Sequence, residues 1–254
     1  MPQNFDLRAR AIAAGLHLLI SLAVAGLAAI LVFALWYPGP YRLLAGGQGL
    51  FFLVTSVDVM IGPLLTFAVF NKAKGWKHLR RDLAVIGLLQ IAALAYGLHT
   101  VYIARPVAMV FEVDRLRLVI ANDVYLPELP KAPPEYQELP LTGPWLLGAR
   151  TPTPGAEHND ALFKGVEGTD VGLRPLFWQS YEKSREAAVA KSRPIALLLQ
   201  HYPAQAADVR RGMADMNAEE ASARFLPVIA RSDWVVVLDK AGTVLGYLPL
   251  DGFF

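Results

Sequence analysis

The chain has 254 residues, of which 54% are hydrophobic and only 18% charged, with a formal net charge of +2. Soluble chains carry about 25% charged residues, so this balance leans towards a membrane protein. The absence of cysteine excludes disulfides, thiol redox chemistry, cysteine-ligated zinc and a cysteine nucleophile.

Charge divides the chain in two. Residues 1–104 hold three acids (Asp6, Asp58, Asp82) against eight Lys and Arg, whereas residues 105–254 hold nineteen acids against sixteen bases. Neither half carries a basic stripe suited to nucleic acid. Ala11 to Trp36 is an apolar run whose strongly polar members are His17 and Ser21. It exceeds the roughly 20 residues that cross a bilayer, and it is too long for the apolar core of a signal peptide. Arg8 and Arg10 precede it, and Trp36-Tyr37-Pro38 ends it with interfacial aromatics and a helix stop. Further spans are expected at 49–70 and 83–104. The loop between those two carries Lys72, Lys74, Lys77, Arg80 and Arg81, while the loop 37–48 carries only Arg42. The positive-inside rule then makes the N-terminus and the 71–82 loop cytoplasmic, and three crossings export everything after Ala104.

The second span contains TSVDVMIGPLLTF, residues 55–67. An ionised carboxylate at mid-span costs several kcal/mol, so Asp58 should face other helices and either pair or stay protonated. At about 1.5 Å rise per residue, Asp58 lies level with Val24 and Tyr96, while His17, Gly62 and Gln90 share a shallower level. Depth therefore predicts an Asp58–Tyr96 hydrogen bond and a separate polar layer of His17 with Gln90. A proton or ion path, a docking point for a polar group, and a simple interhelical hydrogen bond all remain open for Asp58. Gly62-Pro63 predicts a kink or a packing notch, and a notch able to receive a foreign helix is the sharper of those readings.

The back half, 105–254, reads as one α+β domain. Val107–Val113 and Leu116–Ala121 pattern as paired strands. The stretch 127–154 is proline-rich (KAPPEYQELPLTGP) and reads as an extended surface segment without a core of its own. Trp178–Ser192 is a polar helix candidate, Ile195–Tyr202 has the apolar density of a buried strand, and Ala204–Phe225 reads as helical. DWVVVLDKAGTVLGYL ends the chain as a β-hairpin turning at Asp239–Gly242. His158 and His201 stand without a GxSxG elbow or an HExxH pair, no metal cluster or phosphate loop occurs, and no cofactor is implied. Nothing in the residues speaks for an enzyme. A small-ligand or proton-linked sensor or transport subunit, using Asp58, Tyr96 and His99, is the competing class. Three spans without an inverted repeat speak against it.

WYPGP (36–40), VDVMIGPLL (57–65) and ARPVAMVFEVDR (104–115) together resemble the type IV pilin accessory proteins of the TfpX/TfpZ family, closely over residues 10 to about 125. The resemblance implies a Gram-negative inner-membrane protein of three passes, its C-terminal domain in the periplasm. It implies a non-catalytic, chaperone-like factor for pilin stability or assembly, with no catalytic residues to transfer. The implied partners are the major pilin, through its membrane helix and periplasmic head, the membrane lipid, and other pilus assembly proteins. His17, Asp58, Gly62, Pro63 and Gln90 are then the candidates to meet the pilin helix.

Overall fold

The computed structural model describes residues 6–71 and 75–254; Lys72 and Lys74 of the basic loop lie outside the described residues. The chain divides into two compact units, one of residues up to Ala104 and one from Arg105 to Phe254, with Leu43–Ala45 grouped with the latter.

The first unit is built from helices α1 (Leu7–Ile30), α3 (Gly47–Val69) and α4 (Trp76–Ile103), and the short α2 (Tyr41–Leu44) is divided between the two units. Asp6 caps α1 by accepting the Ala9 N–H at 3.0 Å. The helix continues as a π-helical stretch, Leu31–Trp36, closed by a Tyr37 N–H bond to the Val32 carbonyl at 2.8 Å. Leu7–Trp36, Gly47–Val69 and Trp76–Ile103 are each long and apolar enough to cross a membrane. Leu, Ile and Phe side chains such as Leu27, Leu53 and Ile91 are left about two-thirds exposed. That outer surface suits lipid rather than water. The third helix begins seven residues before the expected span, so Lys77, Arg80 and Arg81 ride on its first turns. The helix macrodipole disfavours cations at that end, so local helix energetics do not explain them.

α3 packs against both α1 and α4. Tyr37, expected at an interface, is instead fully buried: its hydroxyl donates to the Val101 carbonyl at 2.8 Å. The ring lies where a side chain at Gly47 would stand, 2.3 Å from the position of a Cβ. One aromatic thus joins the end of α1, the start of α3 and the end of α4. Gly97 lets α4 approach Val54 of α3 in the same way. Pro63 lies inside α3, which runs on unbroken to Val69; its missing N–H leaves the Val59 carbonyl without its helical partner.

The second unit carries a mixed sheet in the order β4-β3-β1-β2-β6-β7-β8, with a short β5 beside β6. The strands are β1 (Pro106–Glu112), β2 (Arg115–Ile120), β3 (Trp145–Ala149), β4 (Trp178–Ser180), β5 (Arg193–Pro194), β6 (Arg224–Ile229), β7 (Trp234–Leu238) and β8 (Val244–Leu248). β1 pairs antiparallel with β2, as expected, with Phe111 opposite Leu116. β7 and β8 form the expected hairpin, with Gly242 at φ +84 and the Asp239 carboxylate accepting the N–H groups of Ala241 and Thr243. The remaining helices are α5 (Ala156–Val166), α6 (Arg185–Lys191), α7 (Ile195–His201) and α8 (Ala206–Asp215).

Four expectations need correction. Ile195–His201 is a helix, because its buried residues Ile195, Leu198 and Leu199 follow a three-and-four spacing that a dense apolar run conceals. Trp145–Ala149, within the proline-rich stretch, is a strand parallel to β1. Trp178–Ser180 is a strand where a helix is expected, and the helix itself is only Arg185–Lys191. The helix expected over Ala204–Phe225 is only Ala206–Asp215, and Arg224–Ile229 is a strand whose Pro227 stands opposite Val235 of β7, between the β5 pairing at Arg224–Phe225 and the β2 pairing at Val228–Ile229. The core has two halves. One gathers Val107, Val110, Leu147 and Trp178 under Leu129, Tyr136 and Leu139 of the proline-rich stretch. The other gathers Ile195, Leu198, Val209, Met213, Phe225 and Val237.

Candidate functional site

Several polar residues of the first unit converge on a groove of about 290 Å³ between α1, α3 and α4. His17, Ser21, Asp58, Gln90 and Leu94 are among its lining residues. On α4 the lining positions Gly87, Gln90, Ile91 and Leu94 follow a three-and-four spacing, one face of a helix. His17 Nδ1 lies 2.5 Å from Oγ1 of the buried Thr66. Gln90 Nε2 donates to the Asp58 main-chain carbonyl at 3.0 Å. Nearer the end of α3, Arg10 donates to the carbonyls of Phe67 and Ala68, at 3.3 and 3.1 Å. A cation there complements the negative end of the helix.

The structure brings His17, Asp58 and Gln90 to this groove and changes the role of the others. Gly62 and Pro63 are buried inside the unit, and a Cβ on Gly62 would stand 2.1 Å from Gln90 Nε2. The close approach that the glycine permits is therefore occupied by this chain's own Gln90. Tyr96 is 76% exposed and does not meet Asp58. Depth along the axis matches the two residues, but azimuth separates them. Tyr96 is two residues beyond the groove-lining Leu94, about 200° around the helix at 3.6 residues per turn. His99 is exposed as well. Thr66 is the groove partner that sequence reasoning missed, because a threonine in an apolar run carries no separate signal.

In the second unit, buried charges hold the fold. Glu112 is buried and accepts the Gly172 N–H at 2.8 Å and the Arg117 Nε–H at 2.6 Å, while Arg117 also pairs with Asp170. The buried Arg174 reaches both carboxylate oxygens of Glu128 through Nε, at 3.1 and 3.0 Å, and Asp160 through Nη2 at 2.7 Å. Phe177 lies between Arg150 and Arg174, each guanidinium carbon 4.7 Å from the ring centroid. A cleft of about 700 Å³ opens beside these residues, lined in part by Arg115, Arg117, Arg150, His158 and α5. α5 has no buried residue and exposes Leu162, Phe163 and Val166. It is tied down by Glu157, which accepts from Arg150 at 2.9 and 2.7 Å and from the Thr153 N–H at 2.5 Å. Those bonds, the Arg150 pair foremost, hold the Glu157 carboxyl down to about 2. His201 stacks on Phe254 with centroids 3.9 Å apart. Among the described residues, no group of three or more His, Asp or Glu could hold a metal ion.

A family model described as "Fimbrial assembly protein FimB" matches residues 5–46. The chain is 38% identical over 244 residues to the fimbrial assembly protein of serogroup I from Dichelobacter nodosus, covering 94% of each chain. It is 37% identical, with the same coverage, to that of serogroup E1 from the same organism. The chain belongs to this fimbrial assembly protein family. A shorter relative, from serogroups C1 and C2, is 47% identical over 118 residues, 46% of this chain and 90% of its own. No solved structure matches the chain. The likeness to the two longer fimbrial assembly proteins runs over 94% of the chain, well beyond the 125 or so residues where the motifs are recognisable by eye.

Proposed function

We propose that this chain is a three-pass inner-membrane accessory factor of the TfpX/TfpZ type, which binds a type IV pilin and supports its stability or assembly without catalytic turnover. Its N-terminus and the 71–82 loop are cytoplasmic, and its second unit is periplasmic. Arg8, Arg10 and the cations on the first turns of α4 support that orientation, since the α4 cations sit there against the helix dipole. Its relatives' description as fimbrial assembly proteins supports the process. The observation that carries the reading is the groove at mid-height of three otherwise apolar helices. It offers a membrane helix apolar walls with the polar groups of His17, Asp58 and Gln90, and Gly62 leaves the room that Gln90 occupies. The apolar side chains that α5 exposes support a protein-facing surface on the periplasmic unit, which reads the pilin head and fixes the pilin served. Deletion of the gene tests this reading. Surface pili should disappear and return with the full-length chain; normal piliation in the deletion strain would overturn it.

A further inference from the structure

Asp58 is the twelfth residue of the 23-residue α3, about 16 Å from either end at 1.5 Å per residue. Two other polar side chains of the groove have partners within the unit: His17 meets Thr66, and the Gln90 amide donates to a main-chain carbonyl. Among the described residues, no group donates to the Asp58 carboxylate, although it lines the groove and is half-buried. A lone carboxylate at that depth is costly in hydrocarbon. Lipid headgroups cannot supply its partner, because the hydrocarbon core is about 30 Å thick and Asp58 lies near its middle. A carboxylate that stays ionised at this depth needs a donor, and another transmembrane helix can bring one.

Resting on the reading above, we infer that Asp58 is the recognition point of the groove, engaging a hydrogen-bond donor or ammonium that the pilin helix presents at mid-span. Ser21, Val24 and Leu94 flank the entering helix, and the acceptor fixes its depth and rotation.

Photo-activatable residues replacing Ser21 and Leu94 of the full chain, in cells making the pilin, test this. Leu88, 68% exposed and absent from the groove, is the control position. Capture of the pilin helix is expected from Ser21 and Leu94 and not from Leu88. Asp58→Leu should cut that capture about tenfold, the effect of one interhelical hydrogen bond or slightly more, at unchanged membrane levels of the chain. Asp58→Asn keeps the shape and one acceptor oxygen. Capture retained by it identifies a neutral donor, whereas capture lost as in Asp58→Leu identifies an ammonium. Undiminished capture with Asp58→Leu, or lipid or some other protein in place of pilin at Ser21 and Leu94, overturns the inference. Loss of pili on deletion is read separately, so the accessory role can stand when this inference fails.

Discussion

Replacing Gly47 by alanine tests whether Tyr37 anchors the three helices. The new Cβ would stand 2.3 Å from two ring carbons of Tyr37 and 2.9 Å from a third. Ordinary contact needs more than an ångström of extra space. The ring has none to give, because Tyr37 is fully buried and its hydroxyl is bonded to the Val101 carbonyl at 2.8 Å. Overpacking of this kind costs about 1–3 kcal/mol. Loss of the hydroxyl bond adds about 1 kcal/mol, and alanine's better helix propensity returns at most about 1 kcal/mol. The net expectation is a loss of roughly 1–3 kcal/mol. Gly49, two residues on in the same helix, has open space around its Cβ position, so Gly49→Ala should be neutral or slightly stabilising. Thermal unfolding of the full chain in mild detergent, followed by near-UV circular dichroism, reads both variants under one condition. A Gly47→Ala protein as stable as Gly49→Ala would refute the anchor, since propensity alone would then account for both.

Two further outcomes follow from the second unit. Arg174→Leu strands the buried Glu128 carboxylate and should cost about 3–5 kcal/mol, with Glu128→Leu added to it restoring most of the loss. Thermal unfolding of the full chain checks this, and a double variant no better than the single one would contradict it. The Glu157 carboxyl is depressed to about 2 by Arg150 and the Thr153 N–H, so its contribution is complete above its ordinary value of 4.5 and is lost as pH falls towards 2. Hydrogen exchange at α5, corrected for intrinsic rate, should therefore show lower protection at about pH 3 than at about pH 6; unchanged protection would refute the tie.

Local patterns reveal local structure, and the chain shows where they stop. The three apolar runs, the apolar patterning of β1 and β2, and the glycine turn between β7 and β8 are each decided within their own stretch of chain. The strand Arg224–Ile229 is not, because it pairs with β2 and β5, which lie far from it in the sequence, while Pro227 argues locally against a strand. Likewise Ile195–His201 becomes a helix by packing Ile195, Leu198 and Leu199 into a core built by distant strands. In the groove, depth counted from the sequence sets Asp58 on a separate level from His17 and Gln90, whereas the structure puts all three in one groove, with Gln90 on the Asp58 carbonyl and His17 on Thr66. Azimuth could not be counted, and Tyr96 faces outward while Gly62 receives Gln90 instead of a foreign helix. Tyr37 read as an interfacial aromatic because its burial depends on Gly47 and Val101, neither of which is marked in the sequence as its neighbour.

The central claim is a physical partnership with a pilin. Affinity purification of the intact chain from native membranes in mild detergent, followed by mass spectrometry, measures it directly. The account predicts pilin as an enriched partner in the eluate, reduced by Asp58→Leu. An eluate containing the intact chain and no pilin, from cells that make pilin, would contradict it.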